Sequence, residues 1–222
     1  MDEQPSVTPS PPAPPAGYVI GISGGSASGK STLSAALAAR LADFAPVVIN
    51  QDAYFHDWSA LPAAEREARM TANHPDAVRW PALVEHVARL RDGEAVPVPV
   101  PGTRAAARGD GRAEVGPTRL LIVEGHLVFG EPTLRALFDL KLFLDVPPDE
   151  RVLRRMVRDA VDRGGDLKTA VAWYRRDVLP NYRLYTEPMR QFADLVLPWT
   201  EAHEHVIDLI AAGVRARLPA GV

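Results

Sequence analysis

Apolar and polar positions follow one another along the chain in segments that predict strands alternating with helices. Short apolar runs bounded by turn residues indicate buried strands. They are found at 18–23, 46–50, 120–123, 140–145 and 194–198. Longer segments with apolar residues three or four positions apart predict helices. One of them begins after residue 30, and the others span 62–72, 80–92, 132–138, 149–162, 166–178 and 201–218. This alternation indicates an α/β fold, with a parallel sheet that carries helices on both faces.

Proline marks the segments that fall outside this alternation. Residues 1–16 carry six prolines, which predicts a disordered or polyproline tail before a single domain at 17–218. The run 96–101 alternates valine with proline and is at best an edge strand, because proline cannot donate to a ladder. Residues 102–116 are polar and contain glycine, so we expect a loop there.

The first strand and the first helix flank a phosphate-loop motif of the form G-x-x-x-x-G-K-[ST]. Leu33, Leu37 and Leu41 give the helix one apolar face, as this motif requires of its context. A glycine-rich turn that binds nothing is the alternative, which these flanks disfavour. The predicted nucleotide-binding residues are Gly24, Gly25, Ser26, Ala27, Ser28, Gly29, Lys30, Ser31 and Thr32.

A triphosphate loses its hydrogen bonds to water when it binds, and this motif supplies protein donors that replace them. Glycines let successive N–H groups point at the phosphates, and the helix N-terminus adds partial positive charge. We expect Lys30 to reach the β- and γ-phosphates and Ser31 to hold Mg²⁺. The motif predicts nucleotide binding and says nothing about the use of the nucleotide.

Two carboxylates follow strands at the sheet edge where parallel α/β proteins bind ligands. Asp52 is the candidate general base for an attacking hydroxyl. Glu124 is the candidate Mg²⁺ ligand, directly or through water, with Asp52 and Ser31 as the other candidates. Carboxylates at such positions also serve as helix caps or solvated loop residues.

The 149–162 helix has two predicted faces. Val152, Met156 and Val157 form an apolar stripe, and Arg155 and Arg158 lie on another face. These arginines are catalytic candidates that neutralise charge on the transferring phosphoryl group. A solvated basic face, paired with neighbouring aspartates, is the alternative. His126 is either a substrate contact or a structural turn residue.

Composition and charge limit the kinds of partner and chemistry that we expect for this protein. The net charge of −3 argues against nucleic acid, and no apolar run approaches a membrane span. The chain has no cysteine, which excludes disulfides and thiolate chemistry. We see no secretory signal and expect a cytoplasmic protein that binds a nucleotide and a small molecule. A homo-oligomer is left open.

The chain resembles the uridine (uridine–cytidine) kinases of the phosphoribulokinase/uridine kinase group from about Tyr18 to Pro198. The resemblance rests on ordered motifs. They are 21–31, Gln51-Asp52 with Tyr54-Phe55, His74-Pro75-Asp76-Ala77, Glu124-Gly125, Asp139-Leu140-Lys141, Arg154-Arg155, Arg158-Asp159, Arg163-Gly164, Asp166-Leu167, Glu187-Pro188 and Ala193-Asp194. It implies a P-loop nucleoside-kinase-like three-layer fold with a helical lid at about 148–168. It also implies transfer of the γ-phosphate of ATP or GTP, with Mg²⁺, to the 5′-hydroxyl of uridine or cytidine.

The departures from this family lie on the acceptor side. Asn73 stands where the family usually has an aspartate, and the insertion at about 95–117 lacks the family's tyrosine and histidine. The acceptor-binding candidates are Tyr54, Asn73, His74, Arg104, His126 and Trp173. A different acceptor, such as another nucleoside, a sugar or a vitamin precursor, therefore stays open. Arg104, Arg108 and Arg112 would suit an anionic one. A nucleotide-binding regulator with little catalysis is the remaining alternative.

Overall fold

The structure is a computed structural model that describes residues 17–69, 71–109, 113–200 and 203–218. The expected tail at 1–16, Arg112 and the expected first residue of the last helix, Glu201, lie outside these ranges. Within them, no helix has the length and apolar character needed to cross a membrane.

The main sheet has five parallel strands. They are β1 (Tyr18–Gly24), β2 (Val47–Asn50), β5 (Leu120–Glu124), β6 (Leu140–Asp145) and β7 (Leu195–Pro198), with β3 and β4 in a separate sheet. Their spatial order is β2-β5-β1-β6-β7. Each strand predicted from its apolar run is therefore present, with bounds that differ by at most one residue.

The helices lie on both faces of this sheet. They are α1 (Lys30–Arg40), α2 (Ala63–Arg69), α3 (Trp80–Arg91), α4 (Arg104–Ala107), α5 (Pro132–Arg135), α6 (Pro148–Met156), α7 (Leu167–Trp173), α8 (Leu179–Asn181) and α9 (Glu204–Arg215). Alternate side chains of β1 separate the two cores. Ile20 and Ile22 join the cluster formed with α1 and α9, whereas Val19 joins the cluster formed with α3. The three-layer α/β prediction is confirmed.

Strand register brings the polar ends of three strands to one place. Glu124 at the end of β5 is level with Asn50 at the end of β2 and with Ile22 near the end of β1. The phosphate loop leaves β1 directly after this point. The carboxyl edge of the sheet is therefore where Asn50, Glu124 and the loop meet.

The segment 102–116 is more regular than the predicted loop. It contains α4, and Ala113–Val115 form β4, which pairs antiparallel with β3 (Val96–Val98). The N–H of Arg104 donates to the Phe55 carbonyl oxygen at 3.0 Å, which fixes the start of α4 beside the loop after β2. The two-stranded sheet satisfies backbone groups that the valine–proline alternation could not pair by itself.

Several helical predictions differ in extent, among them that at 132–138, which is limited to α5. The helix predicted at 62–72 is limited to α2, and a single-turn 3₁₀ helix at Pro75–Ala77 follows it. The helix predicted at 166–178 begins as α7 and continues through α8 and further helical turns to Phe192. Three segments of this region and of the lid have π-type turns, at Val157–Asp162, Tyr174–Val178 and Tyr182–Thr186.

The lid helix α6 presents its faces in an unusual way. Leu153 and Val157 are 63% and 55% exposed, whereas Arg151 is only 2% exposed. The expected apolar stripe of Val152, Met156 and Val157 therefore does not face the core along its whole length, because Val157 is exposed. Arg151 and Arg155 are turned towards the protein, whereas Arg158 is 33% exposed, and Arg155 and Arg158 both pair with Asp159 as the solvated-face alternative expected.

Candidate active site

The phosphate loop, the two carboxylates and the lid line one cavity of about 980 Å³. Its loop residues are Ser26, Ala27, Gly29, Lys30, Ser31 and Thr32, whereas the predicted residues Gly24, Gly25 and Ser28 do not line it. Seven lysine and arginine side chains line the cavity, against the three carboxylates of Asp52, Glu124 and Asp162. This excess of positive charge suits a polyanionic ligand.

Backbone conformation shapes the loop. Gly29, immediately before α1, has φ of 90°, which glycine adopts at little cost. Ala27 has φ of 63°, an unusual value for a residue with a side chain. Lys30 Nζ donates hydrogen bonds to the carbonyl oxygens of Gly24 and Gly25 at 3.0 and 2.9 Å. The ammonium group is thereby held across the loop.

Burial sets the ionisation of Lys30. It lowers the pKa of Lys30 to about 8, and the negative charges of Glu124 and Asp52 oppose this effect. A bound phosphate would favour the charged ammonium in the same way as these carboxylates do. Lys30 is therefore a buried cation that gains most from an anionic partner.

The predicted metal residues offer the oxygen ligands that Mg²⁺ prefers. Burial raises the pKa of Glu124, while hydrogen bonds from Ser31 and Asn50 act in the opposite direction. Asn50 Nδ2 donates to Glu124 Oε1 at 3.0 Å, which orients the carboxylate. No cluster of three or more histidine and carboxylate side chains suited to a metal occurs in the described ranges. Ser31, Glu124 and Asp52 fit a Mg²⁺ ion that is also held by phosphate oxygens and water.

Asp52 lies in a 3₁₀ turn, Gln51–Tyr54, at the end of β2. Its N–H donates to Asn50 Oδ1 at 2.7 Å, so the residue that orients Glu124 also shapes the turn that presents Asp52. Behind the turn, Gln51 Oε1 accepts from the N–H of Leu127 at 2.9 Å. This hydrogen bond joins the segments that follow β2 and β5. Asp52 lines the cavity from the turn that it stabilises.

The segment predicted to form the lid contributes four arginines to the cavity lining, namely Arg154, Arg155, Arg158 and Arg163. Arg155 Nε lies 3.1 Å from Asp159 Oδ2, and Arg158 Nε lies 2.9 Å from Asp159 Oδ1. Arg163 pairs with the same carboxylate at 3.4 Å. Asp159 therefore pairs with three arginines of the predicted lid.

The acceptor-side candidates separate into two groups. Asn73, Arg104, His126 and Trp173 line the cavity together with Asp52. Arg104 lies over the Phe55 ring, with its guanidinium carbon 5.5 Å from the ring centre. Phe55 lines the cavity too, and analysis of the sequence had selected its neighbour Tyr54 instead.

Tyr54 and His74 do not contact the cavity, contrary to expectation. Tyr54 is 3% exposed, and its hydroxyl is hydrogen-bonded to His86 Nδ1 at 2.9 Å. His74 Nδ1 accepts from the N–H of Asp76, and Nε2 is bonded to the Tyr185 hydroxyl at 2.8 Å. The first side chain packs in the core and the second caps a turn.

His126 lines the cavity and also makes a structural hydrogen bond. Burial lowers the pKa of His126 to about 4, so the ring is neutral near pH 7. Its Nε2 lies 2.9 Å from the carbonyl oxygen of Ala72, and a carbonyl only accepts, so Nε2 carries the proton. This bond fixes the segment that contains Asn73 and leaves Nδ1 as an acceptor.

Comparison with known proteins is consistent with this geometry. Residues 19–204 match the Phosphoribulokinase / Uridine kinase family. The chain belongs to that family. It is therefore a P-loop small-molecule kinase, and the family implies ATP as the phosphate donor.

Its relatives include proteins named uridine kinase. One from Limosilactobacillus reuteri (strain DSM 20016) is 36% identical over 197 residues, which cover 89% of this chain and 90% of the relative. One from Chloroflexus aurantiacus (strain ATCC 29366 / DSM 635 / J-10-fl) is 35% identical over 202 residues, covering 91% and 96%.

Solved structures agree on the fold. A provisionally assigned fructose transport system kinase from Silicibacter sp. TM1040 has a TM-score of 0.65 and 30% identity. The match covers 85% of this chain and 93% of that one. Phosphoribulokinase from Rhodobacter spheroides has a TM-score of 0.57 at 18% identity, covering 82% and 70%. This second likeness supports the fold alone.

Proposed function

We propose that this kinase transfers the γ-phosphate of ATP, with Mg²⁺, to the 5′-hydroxyl of uridine or cytidine. The observation that carries the proposal is that Asp52 lines the same cavity as Lys30, Ser31 and the lid arginines. Phosphoryl transfer needs a positioned acceptor hydroxyl and positive charge around the moving group. The relatives named uridine kinase support the pyrimidine nucleoside as acceptor.

Six of the residues that line the cavity have a proposed role in phosphoryl transfer. Asp52 accepts the proton of the attacking hydroxyl, and Lys30 binds the β- and γ-phosphates. Ser31 and Glu124 hold Mg²⁺, with Asp52 close by. Arg155 and Arg158 stabilise the charge that develops on the transferring group. Mg²⁺ supplies charge neutralisation between the phosphates.

The acceptor is proposed to lie between the Phe55 wall and the lid, beside Asn73 and Trp173. The Asn73 side chain makes no hydrogen bond to another described residue, so its amide is available to the ribose hydroxyls. His126 Nδ1 is a second acceptor in this region. These groups are proposed to replace the contacts that the altered insertion lacks.

Arg104 favours a second candidate, an acceptor that carries a carboxylate or phosphate group. Its guanidinium lies on the acceptor side with its face on Phe55. Burial lowers the pKa of Arg104, while the negative charges of Asp52 and Asp57 oppose this effect. An anionic acceptor would add a further partner for this charge.

Turnover of an acceptor panel with Mg²⁺-ATP tests the proposal. The panel contains uridine, cytidine, a purine nucleoside, a neutral sugar and hydroxyl compounds that carry carboxylate or phosphate groups. We expect uridine or cytidine to give turnover well above background ATP hydrolysis. Turnover of an anionic compound, with background rates for both pyrimidine nucleosides, would replace the nucleoside by the second candidate.

Asp52→Asn is the matched control for the assay. The amide keeps the shape of the carboxylate but is a poor base, so turnover should fall by about 10²–10⁴-fold. ATP affinity should stay within a few-fold, because the phosphate loop is unchanged. Unchanged turnover would remove Asp52 from its assigned role.

A further inference from the structure

Arg151 is a buried arginine that the proposed reaction does not use. It is 2% exposed and lies in the first turn of α6, where its Nε donates to the Val146 carbonyl oxygen at 3.1 Å. The face of its guanidinium lies on the Tyr182 ring, 3.8 Å from the ring centre. Its buried Nη2 has no hydrogen-bond partner among the described residues.

The guanidinium lies directly behind the phosphate loop. A Cβ atom added to Gly25 would be 2.2 Å from Arg151 Nη1 and 2.8 Å from its Cζ. A side chain at position 25 would therefore require the Arg151 guanidinium to move. Arg151 does not line the cavity, whereas Arg155 and Arg158 reach it from the other side.

The carboxylates near α6 are paired with other arginines. Glu150 pairs with Arg154 at 2.7 Å, and Asp145 pairs with Arg190 at 3.2 Å. Arg151 has no ion pair with any carboxylate within the described ranges. A buried charge that lacks a partner destabilises a folded protein, so such a group usually has a compensating role.

The positive charge of Arg151 lies close to the phosphate site. Lys30 Nζ donates to the Gly25 carbonyl oxygen at 2.9 Å, so the charges of Lys30 and Arg151 both lie beside Gly25. This means that Arg151 and Lys30 repel each other across the loop. An anion bound in the loop would be attracted to both charges at once.

We propose that Arg151 is a positioning residue whose counter-ion is the bound nucleotide phosphate, acting through the loop backbone at Gly25. The proposal rests on the nucleotide-binding part of the proposed function and is independent of the acceptor. Arg151 does two things in this arrangement. It supports the loop against Tyr182, and it adds a fixed positive charge behind the N–H groups that hold the phosphates.

A purely structural role makes the opposite prediction for stability. If Arg151 is only a packing brace, its removal lowers the melting temperature of the nucleotide-free protein and leaves ATP affinity unchanged. If its counter-ion is the phosphate, removal of the charge leaves that melting temperature unchanged or higher, because an unpaired buried charge is lost. ATP affinity then falls.

The test compares Arg151→Met and Arg151→Lys in the full chain. The dissociation constant for Mg²⁺-ATP is measured by calorimetry without acceptor, and the melting temperature is measured without nucleotide. We expect Arg151→Met to raise this constant about tenfold or more, while Arg151→Lys, which keeps the charge, recovers most of the affinity. Turnover at saturating ATP should change only a few-fold, because Arg151 touches no reacting group.

Arg135→Met is the matched control. Arg135 also lies on an aromatic ring, 3.9 Å from the centre of Phe192, and also bonds to a backbone carbonyl, that of Phe129. It is not among the residues that line the cavity. We expect its removal to lower the melting temperature and to leave ATP affinity unchanged.

Four outcomes would overturn the proposal. One is that Arg151→Met behaves like Arg135→Met. Another is that Arg151→Lys binds ATP as weakly as Arg151→Met. The third is failure of both Arg151→Met and Arg151→Gln to fold, since that would show the guanidinium to be structurally required. Wild-type protein that binds no ATP would overturn the proposed function as well, and this distinguishes the two failures.

Discussion

Arg155 donates a hydrogen bond from Nη1 to Ser26 Oγ at 2.7 Å, which joins the lid helix to the phosphate loop. The two residues are 129 positions apart in the chain. Their contact means that the arginine face of α6 is directed at the loop in this conformation. The side chain of Arg155 is only 12% exposed, so it is enclosed by the site.

Removal of Arg155 is expected to affect the chemical step most. Arg155→Ala deletes a positive charge that we propose to act on the transferring phosphoryl group, so kcat should fall by about 10³-fold, at the low end of arginine-finger effects. Ser26→Ala removes the hydroxyl that Arg155 contacts but keeps the guanidinium, and kcat should change only a few-fold. Steady-state kinetics with the active acceptor measures both. Equal losses in the two variants would contradict a charge-stabilising role.

Asp159 should act through the arginines that it gathers. Asp159→Ala leaves Arg155 and Arg158 without their common partner, so we expect kcat to fall about tenfold, which corresponds to about 1.4 kcal/mol of transition-state stabilisation. The effect should vanish when Arg155 is already absent, because residues in contact are not additive. A double-mutant cycle in kcat measures this coupling. Additive losses would show that Asp159 acts independently of Arg155.

Arg104 should influence the acceptor and not the nucleotide. Arg104→Ala removes a half-buried guanidinium that lies on Phe55 at the acceptor side of the cavity. We expect KM for the acceptor to rise about tenfold, or about 1.4 kcal/mol, with KM for ATP unchanged. Arg119→Ala is the control, because Arg119 lies over the Phe44 ring at 5.6 Å and does not line the cavity. A larger change in KM for ATP would place Arg104 on the nucleotide side.

His86 should make folding stability depend on pH. It is 5% exposed and bonded to Tyr54, and burial lowers the pKa of His86 below its usual 6.5. Below pH 6.5 the unfolded chain binds a proton that the folded protein excludes, so stability is lost as pH falls from there towards the folded pKa. At higher pH this contribution is constant.

Melting temperatures between pH 7.5 and 5.5 check this expectation. His86→Gln should give a shallower loss of stability than the wild type, and exposed His205→Gln should follow the wild type. Some slope will remain, because the pKa values of His56 and His126 are also lowered by burial. Parallel curves for wild type and His86→Gln would contradict the assignment.

The elements with a strong local pattern could be predicted well. β1, the phosphate loop and α1 follow from a short apolar run, two glycines and leucines at helical spacing, and each of these signals acts within a few residues. The segment 102–116 could not be predicted in this way. Its strand β4 depends on pairing with β3, and that pairing is a contact between distant parts of the chain.

The candidate site residues also divide into those that a local signal identifies and those that depend on contacts between distant parts of the chain. Asp52 and Glu124 were selectable because strand ends meet at one edge of a parallel sheet. Tyr54 and Phe55 are adjacent, both aromatic and both buried in the core, so composition could not decide which of them also lines the cavity. Packing decided it, since Tyr54 found a buried hydrogen-bond partner in His86 on α3. His74 was likewise taken up by Tyr185, 111 residues away.

The sequence by itself determined the α/β class, the phosphate loop, the family and the carboxylates at the strand ends, because all of these depend on local spacing and residue type. Only the tertiary structure decided the direction of the lid arginines and the convergence of Arg155, Arg158 and Arg163 on Asp159. It alone placed Arg151 behind Gly25. Helical periodicity separates the faces of a helix, but which face is buried depends on what lies against it. In α6 that neighbour is a polar loop built to hold anions, so the charged face is turned inward.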